Sequence, residues 1–268
     1  MKNQIIFWIM AIVITLSSVI YQRKTGPTYP VKGSIEIAGQ AVNYKLLRSH
    51  NSTDDAVIRI ETNGADISGE YDFRRFRSHD EWQMLPMQKV NGALEASIPK
   101  QPPAGKVMYR VRLVDGENTR YELTEEPVII RFKGPVPATV LIPHILLMFT
   151  SMFFANRAGI EALARHERQF KYALITMLTL GLGGLLMGPI VQKYAFGAYW
   201  TGWPFGHDLT DNKSAVAFIM WAVAIWRLKK TPETAWRWVV IAAIVQLAVY
   251  LIPHSVLGSE LDYTAMES

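Results

Sequence analysis

The chain has 268 residues, 50% of them hydrophobic and 19% charged, with a net charge of +5 and a mean hydropathy of +0.10. These averages would suit a soluble enzyme, but the apolar residues are unevenly spread: residues 26–133 are polar, and long apolar blocks dominate from Val136 onward. That segregation excludes a single soluble globule and a disordered chain, and the absence of cysteine excludes disulfides, thiolate metal sites, iron–sulfur clusters and a cysteine nucleophile.

A helix crossing the hydrocarbon core needs about 20 mainly apolar residues, because every backbone polar group must be satisfied internally. The first such segment, Ile5–Tyr21, makes residues 1–25 an N-terminal anchor. A signal peptide is the alternative, and Leu16-Ser17-Ser18 matches a small-x-small cleavage site poorly.

Residues 26–135 change to a period of two. Ser34–Ile37, Val42–Leu46, Val57–Ile60, Tyr71–Phe73, Ala93–Ile98, Val107–Leu113, Tyr121–Leu123 and Val128–Phe132 are predicted strands, punctuated by Gly39, Asn63-Gly64, Asn91-Gly92, Pro102-Pro103 and Asp115-Gly116. That number and rhythm suit an all-β sandwich. The stretch Pro103–Leu113, with Tyr109 at its centre, resembles the loop and strand that carry the tyrosine corner of immunoglobulin and fibronectin type III domains. The resemblance implies that the Tyr109 hydroxyl bonds back to the upstream loop. The domain shows no nucleophile–base pair. Its cluster Arg74-Arg75-Phe76-Arg77 is read as a solvated strand face, with contact to anionic headgroups or a partner as the alternative.

Residues 136–258 form a four-helix membrane domain, with spans at Val136–Ala155, Tyr172–Val191, Ser214–Trp226 and Trp236–Ile252. Ser214–Trp226 is short and crosses only if Lys213 and Arg227 snorkel to the headgroups. Residues 259–268 are an acidic tail. The fold class is therefore mixed: a multi-pass α-helical membrane protein of about five spans with an immunoglobulin- or fibronectin-III-like sandwich inserted after the first. Two inter-span loops are basic: one has Arg157, Arg165, Arg168 and Lys171 against Glu161 and Glu167, the other Arg227, Lys229 and Lys230 against Glu233. The positive-inside rule puts both in the cytoplasm, with the N-terminus inside and the β domain and C-terminus outside a plasma (inner) membrane. Arg23 and Lys24 lie on the outer side against this trend, which a long translocated domain overrides. Loop charge accounts for the basic balance, so a bilayer and a membrane or extracytoplasmic protein are the expected partners, and nucleic acid is not.

Leu-Ile-Pro-His occurs twice, ending at His144 and at His254, and a tryptophan-rich loop contributes His207, Asp208 and Asp211. Polar groups at membrane depth are functional candidates. Imidazole and carboxylate together suit a transition metal such as copper, zinc or iron, with His144, His207, His254, Asp208 and Asp211 as ligands. His144 and His254 could instead hold a b-type haem, although counting 1.5 Å per residue separates their depths by roughly 9 Å. The bland account makes the tryptophans and tyrosines an interfacial belt, has Asp211 or Asn212 cap a helix, and lets each histidine satisfy a carbonyl freed by the neighbouring proline. No buried acid or base is expected near mid-membrane, which argues against transport. The chain is accordingly expected to be a non-catalytic membrane subunit whose sandwich docks or organises an envelope complex. The alternative is a metal- or haem-binding protein of electron transfer or metal handling.

Overall fold

The computed structural model describes residues 2–62, 64, 66–253 and 260–265. The chain divides into two compact units: a helical unit of Met1–Pro27, Val136–Tyr194 and Ala198–Gly258, and a β unit of Thr28–Pro135, Ala195–Gly197 and Ser259–Ser268.

The helical unit is built from α1 (Lys2–Thr25), α2 (Ala138–Leu163), α3 (Gln169–Phe196), α4 (Leu209–Lys230) and α5 (Pro232–Leu251). Four of these, α1, α2, α3 and α5, are long and apolar enough to cross a membrane. The fourth helix, α4, falls outside that group because Asp211 and Lys213 open it and Arg227, Lys229 and Lys230 close it. Small side chains let the helices meet. Ala155, Ala158 and Ala162 of α2 and Ala242 and Ala243 of α5 are buried, and a Cβ on Gly159 would lie 2.7 Å from that of Ala243. Between α2 and α3 the close approach is at Gly183, where a Cβ would sit 2.8 Å from that of Leu147. Such seams suit helices in lipid, where van der Waals fit replaces a solvent-driven force.

Two departures from expectation in the helical unit concern charged residues. The second span was expected to stop at Ala155, where charges begin, yet α2 continues to Leu163 with Arg157 and Glu161 buried. They stand one turn apart and pair, so the helix continues without exposing either charge to lipid. That leaves Arg165, Arg168 and Lys171 against Glu167 between α2 and α3. The other difference is Lys213, which was expected to snorkel. It is 7% exposed, and its Nζ donates to the Ile252 carbonyl at 2.7 Å, satisfying the C-terminal end of α5.

The β unit contains β1 (Val31–Ile37), β2 (Gln40–Leu46), β3 (Ser49–Asn51), β4 (Ala56–Glu61), β5 (Ile67–Arg75), β6 (Gln83–Pro86), β7 (Gln88–Val90), β8 (Ala93–Ile98), β9 (Lys106–Asp115), β10 (Arg120–Glu122) and β11 (Val128–Lys133). The main sheet runs β3-β11-β9-β5-β6 with β10 beside β9; a second is β4-β8-β7, and β1-β2 is a hairpin. Pairing is antiparallel except between β11 and β3. Inward residues of all three sheets, including Ile37, Ile58, Leu94, Val111, Leu113 and Ile130, form one core. The alternation is regular in β4, where Ala56, Ile58 and Ile60 are buried and Val57, Arg59 and Glu61 exposed. Two-residue turns at Ala38-Gly39 and Asn91-Gly92 have positive φ at both positions, the geometry that matches strand twist.

Tyr109 is fully buried and its hydroxyl donates to the Leu47 carbonyl at 2.8 Å. The acceptor lies 62 residues back, between β2 and β3, and not in the loop just before β9. The bond therefore ties two remote segments together and differs from the expected tyrosine corner.

Arg75 clamps Asp80 through both carboxylate oxygens, at 2.8 and 2.7 Å, and this pairing holds the Asp80 carboxyl down at about 2 from an ordinary value of 3.8. A depressed carboxyl stabilises the fold above its unfolded value and loses that contribution as pH falls through its folded value. The unfolding temperature of the β unit is therefore expected to drop between pH 4 and pH 2. Asp80→Asn should flatten part of that slope; an identical acid profile in differential scanning calorimetry would contradict it.

Candidate functional site

His144 follows Pro143 in the second turn of α2. Its Nδ1 lies 2.9 Å from the Gly183 carbonyl oxygen on α3. Over Gly181–Met187 α3 takes π-helical pairing, so that the Gly188 N–H reaches back to that same carbonyl. A carbonyl only accepts; Nδ1 must therefore carry the proton, which in neutral imidazole leaves the lone pair on Nε2. On the bland account the histidine would satisfy a carbonyl freed by its own proline. Its partner is instead on the neighbouring helix, at a π segment of the kind found frequently at functional sites.

The loop between α3 and α4 is organised by the two aspartates predicted as ligands. Asp208 is the N-cap of α4: one carboxylate oxygen accepts the Thr210 N–H at 2.8 Å and the other the Thr201 hydroxyl at 3.1 Å. Asp211 accepts the N–H groups of Thr201 at 2.7 Å and Gly202 at 3.0 Å, and Asn212 that of Trp203 at 2.7 Å. With both aspartates buried, these bonds shape a tight turn that carries Trp203 and Phe205 outward, 76% and 82% exposed. His207 is exposed beside them. His254 lies outside the described residues. Among the described residues no three His, Asp or Glu side chains are grouped as a metal site. The structure thus gives His144 a hydrogen bond to α3, and Asp208 and Asp211 a joint role around Thr201.

A second polar system runs through the helices and was missed in the sequence. Trp221 of α4 donates its indole N–H to Gln246 Oε1 of α5; Gln246 donates to Ser151 Oγ of α2 at 2.9 Å, and Ser151 to the Thr176 carbonyl of α3 at 3.3 Å. All four residues are buried. Toward the other end of α2, Asn156 donates to Thr15 of α1 at 2.9 Å. Starting at the very next residue, the Arg157–Glu161 pair is 0% and 1% exposed. Arg157 also donates to Gln4 and stands over the rings of Trp8 and Tyr172, 4.9 and 4.7 Å from their centroids. Single polar residues inside apolar spans were the available signal, and the chain gives no spacing that joins them across four helices.

No protein-family model matches the chain, and no curated protein is similar enough to match it.

Proposed function

We propose that the chain is an integral membrane subunit, not catalytic by itself, whose extracytoplasmic β unit docks or organises an envelope protein complex in the plasma (inner) membrane. The observation that carries this reading is that the β unit holds two segments remote from it in the chain. Gly134 N donates to the Ala195 carbonyl at 2.9 Å and Arg131 lies 3.9 Å from the Phe196 ring centroid, so the last turn of α3 is part of the unit. The C-terminal segment is seated on it as well: the Leu261 and Tyr263 N–H groups donate to the carbonyls of Ala104 and Arg77. Chain that returns to one unit must cross the bilayer an even number of times in between. Among the described residues two helices separate Phe196 from the tail, and α5 is apolar enough to cross; an even count favours α4 crossing too. This supports five spans, with the tail and the β unit on the same side. The packing of Trp8 of α1 against Phe153, Phe154 and Tyr172 supports α1 as a retained anchor. An immunoglobulin-like sandwich remains part of the proposal, supported by the shared core of the sheets.

Two measurements test this. Alkaline phosphatase fused to the C-terminus is expected to be active, as an enzyme exported from the cytoplasm is; activity of a cytoplasmic reporter alone overturns the five-span topology. In membranes solubilised gently from its own source, the 30.3 kDa chain is expected to migrate within a larger complex. Migration as a lone chain overturns the docking role.

A second reading, ligation of a transition metal or b-type haem through His144, is favoured by its Nδ1–H bond to the Gly183 carbonyl. Histidines that bind metals through one ring nitrogen characteristically donate the other to a carbonyl or carboxylate. Stoichiometric metal or a haem absorption band that disappears in His144→Ala would support it; a colourless, metal-free protein isolated without chelators would sink it.

A further inference from the structure

The tail contact has the form of a recognition site. Tyr263 is 4% exposed, its hydroxyl donates to Gln101 Oε1 at 2.8 Å, and the Arg75 guanidinium stands 4.7 Å from its ring centroid. The Tyr263 hydroxyl occupies space that exists only because residue 105 is glycine: a Cβ there would lie 2.5 Å from it. Three positions earlier, the Glu260 carboxylate is bridged by Arg77 at 2.5 Å and by Lys106. Backbone bonds hold the segment between these anchors. The Arg77 carbonyl accepts the N–H groups of Tyr263 at 3.1 Å and Thr264 at 3.2 Å, and the Ala104 carbonyl accepts that of Leu261 at 3.3 Å.

The receiving side is built from groups other than the tail. Arg75 is fixed by its two-oxygen clamp on Asp80. Arg77 and Lys106 both stand over the Phe76 ring, 5.7 and 5.3 Å from its centroid. The niche thus has two cations at one end and an aromatic slot under a guanidinium at the other.

We infer that this niche is a peptide-binding site for a short acidic segment with glutamate and tyrosine three residues apart, that Glu260–Thr264 is its resting occupant, and that a partner protein's segment of the same chemistry displaces it. The inference rests on the docking role proposed above and names the chemistry of the docked partner. Anchoring runs through one carboxylate, one phenol and main-chain groups, and of the residues between, Asp262 shapes the segment by accepting the Thr264 N–H and hydroxyl, so a partner needs only that short acidic pattern. A tethered occupant acts at an effective concentration of about millimolar. A few contacts therefore suffice to keep the tail seated, and a partner with further contacts prevails.

The test uses the full-length protein in lipid nanodiscs and a labelled peptide of sequence Ser-Glu-Leu-Asp-Tyr-Thr-Ala, followed by fluorescence anisotropy. The variant Glu260→Ala/Tyr263→Ala vacates the niche and is expected to bind the peptide at least about ten-fold more tightly than the wild type. Adding Lys106→Glu to that variant, or replacing tyrosine by alanine in the peptide, should abolish binding. A folded vacated variant that ignores the peptide, or binds it regardless of either change, overturns the inference. Should that variant not fold, the wild type decides: millimolar peptide should speed removal of C-terminal residues by a carboxypeptidase, and an unchanged rate overturns the inference. Peptide failure with the chain still in a large native complex removes the niche alone; peptide binding by a chain that is solitary in its membrane removes the docking role alone.

Discussion

Glu161→Ala is expected to destabilise the helical unit by about 3–5 kcal/mol, the cost of leaving one member of a buried ion pair uncompensated. Arg157 is 0% exposed in its side chain and, among the described residues, keeps only the Gln4 amide oxygen and the flanking aromatic rings once the carboxylate is gone. Its Nε and the second oxygen of Glu161 already have no hydrogen-bond partner among the described residues, so the site has no spare acceptor to take over. The companion variant Arg157→Met/Glu161→Leu removes both charges and keeps much of the volume, and it should cost distinctly less than the single change. Unfolding in detergent followed by circular dichroism separates the two. A single variant within about 0.5 kcal/mol of wild type, the range of ordinary surface changes, would mean that water reaches the pair.

The same pair shows where the sequence was legible and where it was not. Hydropathy placed α1, α3 and α5 because lipid demands a long apolar run, but it ended α2 at the first charges. A cation and an acid four residues apart can continue a span by neutralising each other, which a hydropathy sum does not register. In the β unit, strands with one buried face, such as β4 and β9, announced themselves by alternation. Three short strands were missed. All of β6 is exposed and β3 has only three residues, so neither carries a period. Ionisable side chains in the loop after α3 were visible as a cluster, but their use was not. Asp208 and Asp211 hold N–H groups that a tight turn leaves unpaired, and only the turn's geometry reveals that demand. His144 stood out as a polar group in an apolar run, while its partner, the Gly183 carbonyl, depends on a π segment that composition does not signal.

Trp221→Ala is the other change expected to cost about 3–5 kcal/mol, the usual penalty for removing a fully buried tryptophan. Trp221 is 0% exposed and the largest wholly buried side chain. Its loss opens a cavity among α2, α3 and α5 and leaves Gln246 Oε1 without its indole donor. Hydrogen bonds between membrane helices contribute only about 0.6 kcal/mol on average, so the cavity supplies most of the effect. Trp226, on the same helix but 53% exposed, is the control, and its replacement by alanine should change stability by well under half as much. The comparison bears on topology as well as on packing. The apolar part of α4 between Lys213 and Arg227 spans only about 20 Å at 1.5 Å per residue, short of a core near 30 Å. A helix so short crosses only where its ends are carried by other groups, as Lys213 is by the Ile252 carbonyl, and where its centre is locked to its neighbours. In the proposed five-span topology Trp221 is that lock. If both tryptophan variants unfold at the wild-type midpoint, α4 is not held by the bundle, and the even count of crossings between α3 and the tail loses its second member.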